Sequence, residues 1–161
     1  MEFVRNLKRE STKAALSDAG LLVIRLMLAV VFIFHGGQKL FGWWDGYGFA
    51  GTVDLFEQMG LPWPALSAVL AGGAEFFGAL VLIIGHGTRL AAVPLIFTML
   101  VGAVVAHDGF AAATGGGEYA YTLAAVLLGL LLTGPGRFTL GRLAGALPRR
   151  SPAAQPEPTL S

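Results

Sequence analysis

The sequence predicts an all-α fold: a bundle of four transmembrane helices with a short interfacial helix in the first outer loop. Three observations predict it. Charged residues make up 13% of the chain and hydrophobic ones 55%, against roughly 25% charged in an ordinary soluble domain. The charges that exist sit mainly at the ends, and between Arg89 and Arg137 only Asp108 and Glu118 occur. Four apolar segments follow one another, and no polar helix is left over to cover them.

The first segment runs from about Gly20 to Gly36, contains Arg25 and ends in His35. The second, Pro64 to Gly85, holds Glu75. The third, Leu90 to Ala106, and the fourth, Tyr119 to Gly134, hold no charge. A span needs about 20 apolar residues, within a range of roughly 17–25. The second and third segments meet this alone; the first and fourth recruit neighbours, Ser17 to Ala19 and Pro135 to Leu140. Arg5, Lys8, Arg9 and Lys13 also suit the basic start of a cleaved signal peptide. Against that, the segment closes on Phe32, Phe34 and His35 without a small-residue cleavage pattern, and three more spans follow.

Orientation follows from Lys and Arg near the span ends. Arg5, Lys8, Arg9 and Lys13 lie before the first span, Arg89 between the second and third, and Arg137, Arg142, Arg149 and Arg150 after the fourth. The other side carries Lys39 alone. Both termini and the second loop are therefore expected in the cytoplasm. Three regions result: a basic cytoplasmic segment over 1–19, a membrane domain over 20–143, and a Pro-rich tail over 144–161 expected to be disordered.

The first outer loop, Leu40 to Trp63, holds all three tryptophans of the protein, Trp43, Trp44 and Trp63. Trp and Tyr favour the headgroup level, so this loop is expected to lie in the outer interface. Within it, Thr52 to Met59 reads as a short amphipathic helix, with Thr52 as N-cap, Gly60 just past its end and Pro62 blocking continuation.

Ionisable groups inside a membrane are costly and are candidates for function by default. Arg25 falls in the inner half, where it either snorkels to the surface or pairs with Glu75. Glu75 falls near mid-membrane, at a level estimated between Arg25 and His35. Its neighbours Gly72, Gly73, Ala74 and Gly78 suit a tightly packed, inward-facing position. His35 and Lys39 are four residues apart and share a face if the helix continues past Gly36 and Gly37. With Gln38, His107, Asp108 and Glu118 they would gather at the outer mouth; singly, each also reads as an ordinary boundary residue. His35, His86 and His107 lie on different helices, and no metal motif stands out. The chain has no cysteine, which excludes thiolate metal sites and thiol–disulfide chemistry. No basic stripe with interleaved aromatics points to nucleic acid.

The string Phe34-His35-Gly36-Gly37-Gln38-Lys39-Leu40-Phe41-Gly42, with Arg25 upstream, resembles the first-helix signature of the DoxX family of small membrane proteins. Gly60-Leu61-Pro62, Glu75 and the closing Gly134-Pro135-Gly136-Arg137 also follow that family's pattern, so the similarity covers about residues 20–143. The resemblance implies a four-helix membrane fold in a plasma membrane of the bacterial inner type, and an association with quinone-linked oxidation. It carries Arg25, His35, Lys39, Glu75 and Glu118 as candidate site residues. A wider likeness to four-helix quinone-linked thiol oxidoreductases would imply a dithiol mechanism, which the lack of cysteine rules out here.

The leading functional expectation is a membrane subunit of a redox system. Arg25, His35, Lys39, Glu75, His107 and Glu118 are the candidates to line a quinone-headgroup or proton-relay site. There is no haem-ligation pattern and no dinucleotide fingerprint in the sequence, so a soluble or membrane oxidoreductase partner would supply the electrons. The alternative expectation is a non-enzymatic anchoring, assembly or small-solute transport protein.

Overall fold

The structure is a computed structural model that describes residues 1–142; the tail over 144–161 lies outside the described residues. Helix α1 runs from Glu2 to Phe41, 40 residues long, or about 60 Å at 1.5 Å per residue. The basic N-terminal segment is thus continuous with the first apolar segment. The helix also passes through Gly36 and Gly37 without a break, so His35 and Lys39 stand one turn apart on it. It stops at Gly42, whose φ of +70° turns the chain left-handed while its N–H bonds Gly37 O.

A 3-10 turn over Trp43–Asp45 leads to α2, Gly48–Gln58. This is the loop helix expected from the sequence, but it starts earlier, and Thr52 is not its N-cap. Thr52 is buried inside the helix, and its hydroxyl lies 2.7 Å from Gly48 O and 3.1 Å from Lys39 O. A mid-helix threonine readily bonds back to the carbonyl four residues earlier. Gly60, at φ +73°, follows the helix end as expected.

Helix α3, Pro64–Ile84, begins with a proline and ends at Gly85. Helix α4, Thr88–Val105, follows after a tight turn, and α5, Glu118–Thr133, closes the bundle. Three helices are long and apolar enough to cross a membrane: the Lys8–Phe41 stretch of α1, α3 and α4. Helix α5 is apolar but shorter, with 16 residues.

Helix α1 packs on α3, α4 on α5, and α3 joins the two pairs; α2 lies across α1 and α3. The core interleaves Leu28, Ala29 and Phe32 of α1 with Ala79 and Leu82 of α3, Leu95 of α4 and Leu127 of α5. The outside is apolar as well: Met27, Val30, Leu70, Phe77, Val93 and Phe97 are all exposed. Large apolar residues both inside and outside mark a bundle whose solvent is lipid.

Glycines set the closest approaches. A β-carbon on Gly36 would stand 2.6 Å from the Phe76 backbone nitrogen, and one on Gly78 would stand 3.1 Å from Leu95. At one end of the bundle Asp18, the α3–α4 turn and the chain after α5 meet. There the Arg137 N–H bonds Asp18 Oδ1 at 3.0 Å, and Arg89 donates to Leu132 O at 3.1 Å. The aromatic loop and α2 lie at the other end.

Candidate functional site

The buried charges form two separate centres rather than one. Glu75, on the inner face of α3 beside Gly72 and Gly78, is 1% exposed and holds Lys39 of α1. Lys39 Nζ donates to Oε1 at 2.8 Å and to Oε2 at 2.6 Å. The pair is lopsided, since the Lys39 side chain remains 25% exposed. Charge-assisted bonds of this length are the strong kind. The Thr52 hydroxyl of α2 shares its one proton between Gly48 O at 2.7 Å and, more weakly, the Lys39 carbonyl at 3.1 Å, so α2 touches the helix end that carries the lysine. Sequence reading missed this role, because Thr52 looked like a cap of its own helix.

The level of the pair follows from helix direction. Side chains lean toward the N-terminus of their helix. Helix α1 and α3 run in opposite directions, so Lys39 leans down and Glu75 leans up. A β-carbon on Gly72 would stand 3.4 Å from Lys39 Cβ, so the lysine backbone is level with Gly72 and its side chain drops one turn to Glu75. Glu75 therefore sits near the level of Gly36 and Gly37, beyond the range between Arg25 and His35 expected from residue counting.

Arg25 neither snorkels to water nor pairs with Glu75. It is fully buried, and its guanidinium donates to four backbone carbonyls. Nε bonds Leu82 O at 3.0 Å and Nη2 bonds Ile83 O at 3.2 Å, at the end of α3. Nη1 bonds Pro135 O at 2.7 Å and Phe138 O at 2.8 Å, beyond α5. The last carbonyls of a helix have no partner within it, and a cation there also meets the negative end of the helix dipole. Arg25 thus caps α3 and ties down the chain after α5. Gly85 is required beside it, for a β-carbon there would collide with the guanidinium.

Of the remaining candidates, His35 stands one turn before Lys39 on α1, close enough to feel its charge. His35 is half-buried, and its ring meets Phe34 edge-on at 5.5 Å. His107 is exposed, with Nδ1 3.1 Å from Gly115 O in the α4–α5 loop. Asp108 is exposed, and Glu118 begins α5 half-buried. Among the described residues no hydrogen bond or ion pair links these four to Lys39 or Glu75. Of the expected gathering at one mouth, His35 and Lys39 are neighbours on α1, and among the described residues no hydrogen bond ties His107, Asp108 or Glu118 to them. Also among the described residues, no three His, Asp or Glu side chains converge as a metal cage needs.

Around the end of α1 the aromatics form a connected group. Phe34 stacks on Trp44 at 5.1 Å, and Phe41 lies 4.9 Å from Trp43. Phe76, the residue after Glu75, meets both Phe41 and Trp43 edge-on at 5.1 and 5.6 Å. Phe76 thus joins the aromatic group around the end of α1 to α3.

A helical bundle with an apolar exterior and buried, fully bonded charges defines a multi-helix membrane protein. The DoxX family model matches residues 20–108, and the chain belongs to the DoxX family. It is 33% identical to the inner membrane protein YphA of Escherichia coli, over 76% of this chain and 88% of that one. It is 32% identical to the inner membrane protein YqjF of the same organism, over 80% and 94%. CatD of Bacillus subtilis, provisionally named an oxidoreductase, is 29% identical over 73% of this chain and 81% of its own. No solved structure matches the chain at a significant level.

Proposed function

We propose that the protein is a membrane subunit of a redox system, and that the Lys39–Glu75 pair receives the headgroup of a lipid-soluble quinone and exchanges protons with it. One observation carries this reading: a carboxylate that is 1% exposed faces a lysine that is 25% exposed. An ammonium has three donors, and two are spent on Glu75. The third suits a quinone carbonyl. A bound quinone would supply the two-electron chemistry. The chain's own part is to orient the headgroup and to hold or release a proton at Lys39 Nζ or Glu75 Oε. With no cysteine in the chain, electrons come from an oxidoreductase partner. The name of CatD supports the same direction.

In this reading α1, α3, α4 and α5 all cross the membrane, α2 lies in the outer interface, and both termini are cytoplasmic. Helix α5 covers about 24 Å at 1.5 Å per residue, short of a hydrocarbon core of about 30 Å, and its flanking glycine turns make up the rest. The basic residues support the orientation, and the names of YphA and YqjF support a bacterial inner membrane. The test is the quinone content of lipid extracted from the purified protein. Enrichment over bulk membrane lipid is expected in the native chain and is lost when Lys39→Met and Glu75→Leu are combined. Equal quinone content in the two proteins would sink the proposal.

One observation favours a second reading, a non-enzymatic anchoring, assembly or small-solute transport protein. Among the described residues every buried side-chain nitrogen and oxygen already has a partner, as a purely structural bundle requires. Solute flux into proteoliposomes with no redox partner present would select the transport form of this reading.

A further inference from the structure

At the end of the bundle away from Lys39, a half-open hollow of about 480 Å³ lies between the start of α4 and the chain that follows α5. Its lining includes three arginines, Arg89, Arg137 and Arg142, against one acidic residue, Asp18. That carboxylate is already engaged, for Oδ1 accepts the Arg137 backbone N–H at 3.0 Å and Oδ2 lies 3.5 Å from Arg137 Nε. Arg89 is steadied at the rim by Leu132 O at 3.1 Å. It also passes close over Gly134, where a β-carbon would stand 3.3 Å from the guanidinium. Pro135 O, a backbone acceptor of the lining that would repel an anion, is bonded to Arg25 at 2.7 Å. Thr88 and Arg89 also open α4, and the leading N–H groups of a helix are unpaired within it and favour anions.

We infer that this hollow binds a phosphate-bearing anion, held by Arg89 and Arg142 with Arg137 bridging to Asp18. Arginine forks match phosphate oxygens two at a time. Helix α3 ends and α4 begins beside the hollow, so it stands at the depth where bilayer phosphates lie. A phosphodiester headgroup and free inorganic phosphate share the chemistry that the site reads. The inference does not depend on the quinone reading, because it concerns the opposite end of the bundle.

The test uses the full chain in mild detergent, with thermal unfolding followed during three titrations at constant ionic strength: phosphatidylglycerol, phosphatidylcholine and inorganic phosphate. Stabilisation by phosphatidylglycerol well beyond phosphatidylcholine supports the site and names a lipid as its source. Stabilisation by inorganic phosphate supports it and names the free anion. Each arginine near a bilayer surface contributes about fivefold in affinity. Arg142→Gln, an exposed change that leaves the core intact, should weaken binding by about that factor, and Arg89→Gln with Arg142→Gln by about 25-fold. Arg5→Gln with Arg9→Gln removes the same charge from exposed positions at the start of α1 and should leave affinity unchanged. The inference is overturned if neither phosphatidylglycerol nor phosphate stabilises the native chain, or if the control pair weakens binding as much as the site pair.

Discussion

Breaking the Lys39–Glu75 pair from its two sides should cost unequal amounts. Removing one member of a buried pair leaves the other charge uncompensated, at about 3–5 kcal/mol. Lys39→Met strands the Glu75 carboxylate, which is 1% exposed, and should incur that whole cost. Glu75→Gln strands the lysine, which is 25% exposed and has a long stem that can carry its ammonium to the headgroups. Its cost should be nearer the 1–2 kcal/mol of a partly solvated pair after discounting for screening. For a chain of this size each kcal/mol moves the melting temperature by about 2–4 °C. Lys39→Met should then lower it by about 6–20 °C and Glu75→Gln by about 2–8 °C. Combining Lys39→Met with Glu75→Leu replaces the pair with apolar contacts and should recover most of the loss, since such replacements are often neutral. Near-ultraviolet circular dichroism of the four proteins during heating in detergent reads all three quantities. The reasoning is refuted if Glu75→Gln proves the more damaging single change, or if the double variant is as unstable as Lys39→Met.

Three further outcomes are expected. Arg25→Lys keeps the charge but replaces a fork reaching four carbonyls with a point donor; it should destabilise by about 2–4 kcal/mol, given roughly 1.5–3 kcal/mol for each charged hydrogen bond lost or weakened, and thermal unfolding will show whether it does. Gly36→Ala drives a methyl to within 2.6 Å of the Phe76 backbone and should cost about 1–3 kcal/mol by overpacking, whereas Gly20→Ala, with nothing within 4 Å, should be neutral or gain about 0.5–1 kcal/mol from helix propensity; both are read in the same melting assay. Reporter fusions at Arg89 should behave as cytoplasmic and those at Asp54 and Gly116 as external, and an external signal at Arg89 would end the proposed orientation.

The helical segments were legible because hydropathy and glycine punctuation are local properties. Gly42, Gly60 and Gly85 mark chain reversals at positive φ, and Pro64 starts α3 at a position where its missing N–H costs nothing. The inward face of Glu75 was legible for a similar reason, since Gly72, Gly78 and Ala79 share it and are all buried. Its partner was not. Residue counting placed Glu75 between Arg25 and His35, but the pairing depends on how far α1 slides along α3. That register is set by the contact of Gly36 with Phe76, which one chain does not announce. The lean of side chains toward helix N-termini was available from direction alone. It sends Lys39 down toward Glu75, and it sends Arg25 away from Glu75 toward the end of α3. The role of Arg25 was illegible for a further reason: its partners are backbone carbonyls, which every residue carries and no sequence pattern distinguishes.

The wide separation between Arg25 and its partners gives the protein a built-in order of assembly. The carbonyls at the end of α3 lie 57 and 58 residues downstream, and those beyond α5 lie 110 and 113 residues downstream. At a synthesis rate of about 5–20 residues per second, the first helix waits roughly 5–25 s for the last acceptors to leave the ribosome. The α3 acceptors are made about halfway through that interval, and until then the guanidinium has none of these four ligands, a costly state for an ionised group in a membrane. Arrival of the segment after α5 supplies the last two acceptors. A chain that stops before Pro135 lacks two of the four acceptors, and its first helix keeps a guanidinium only half bonded.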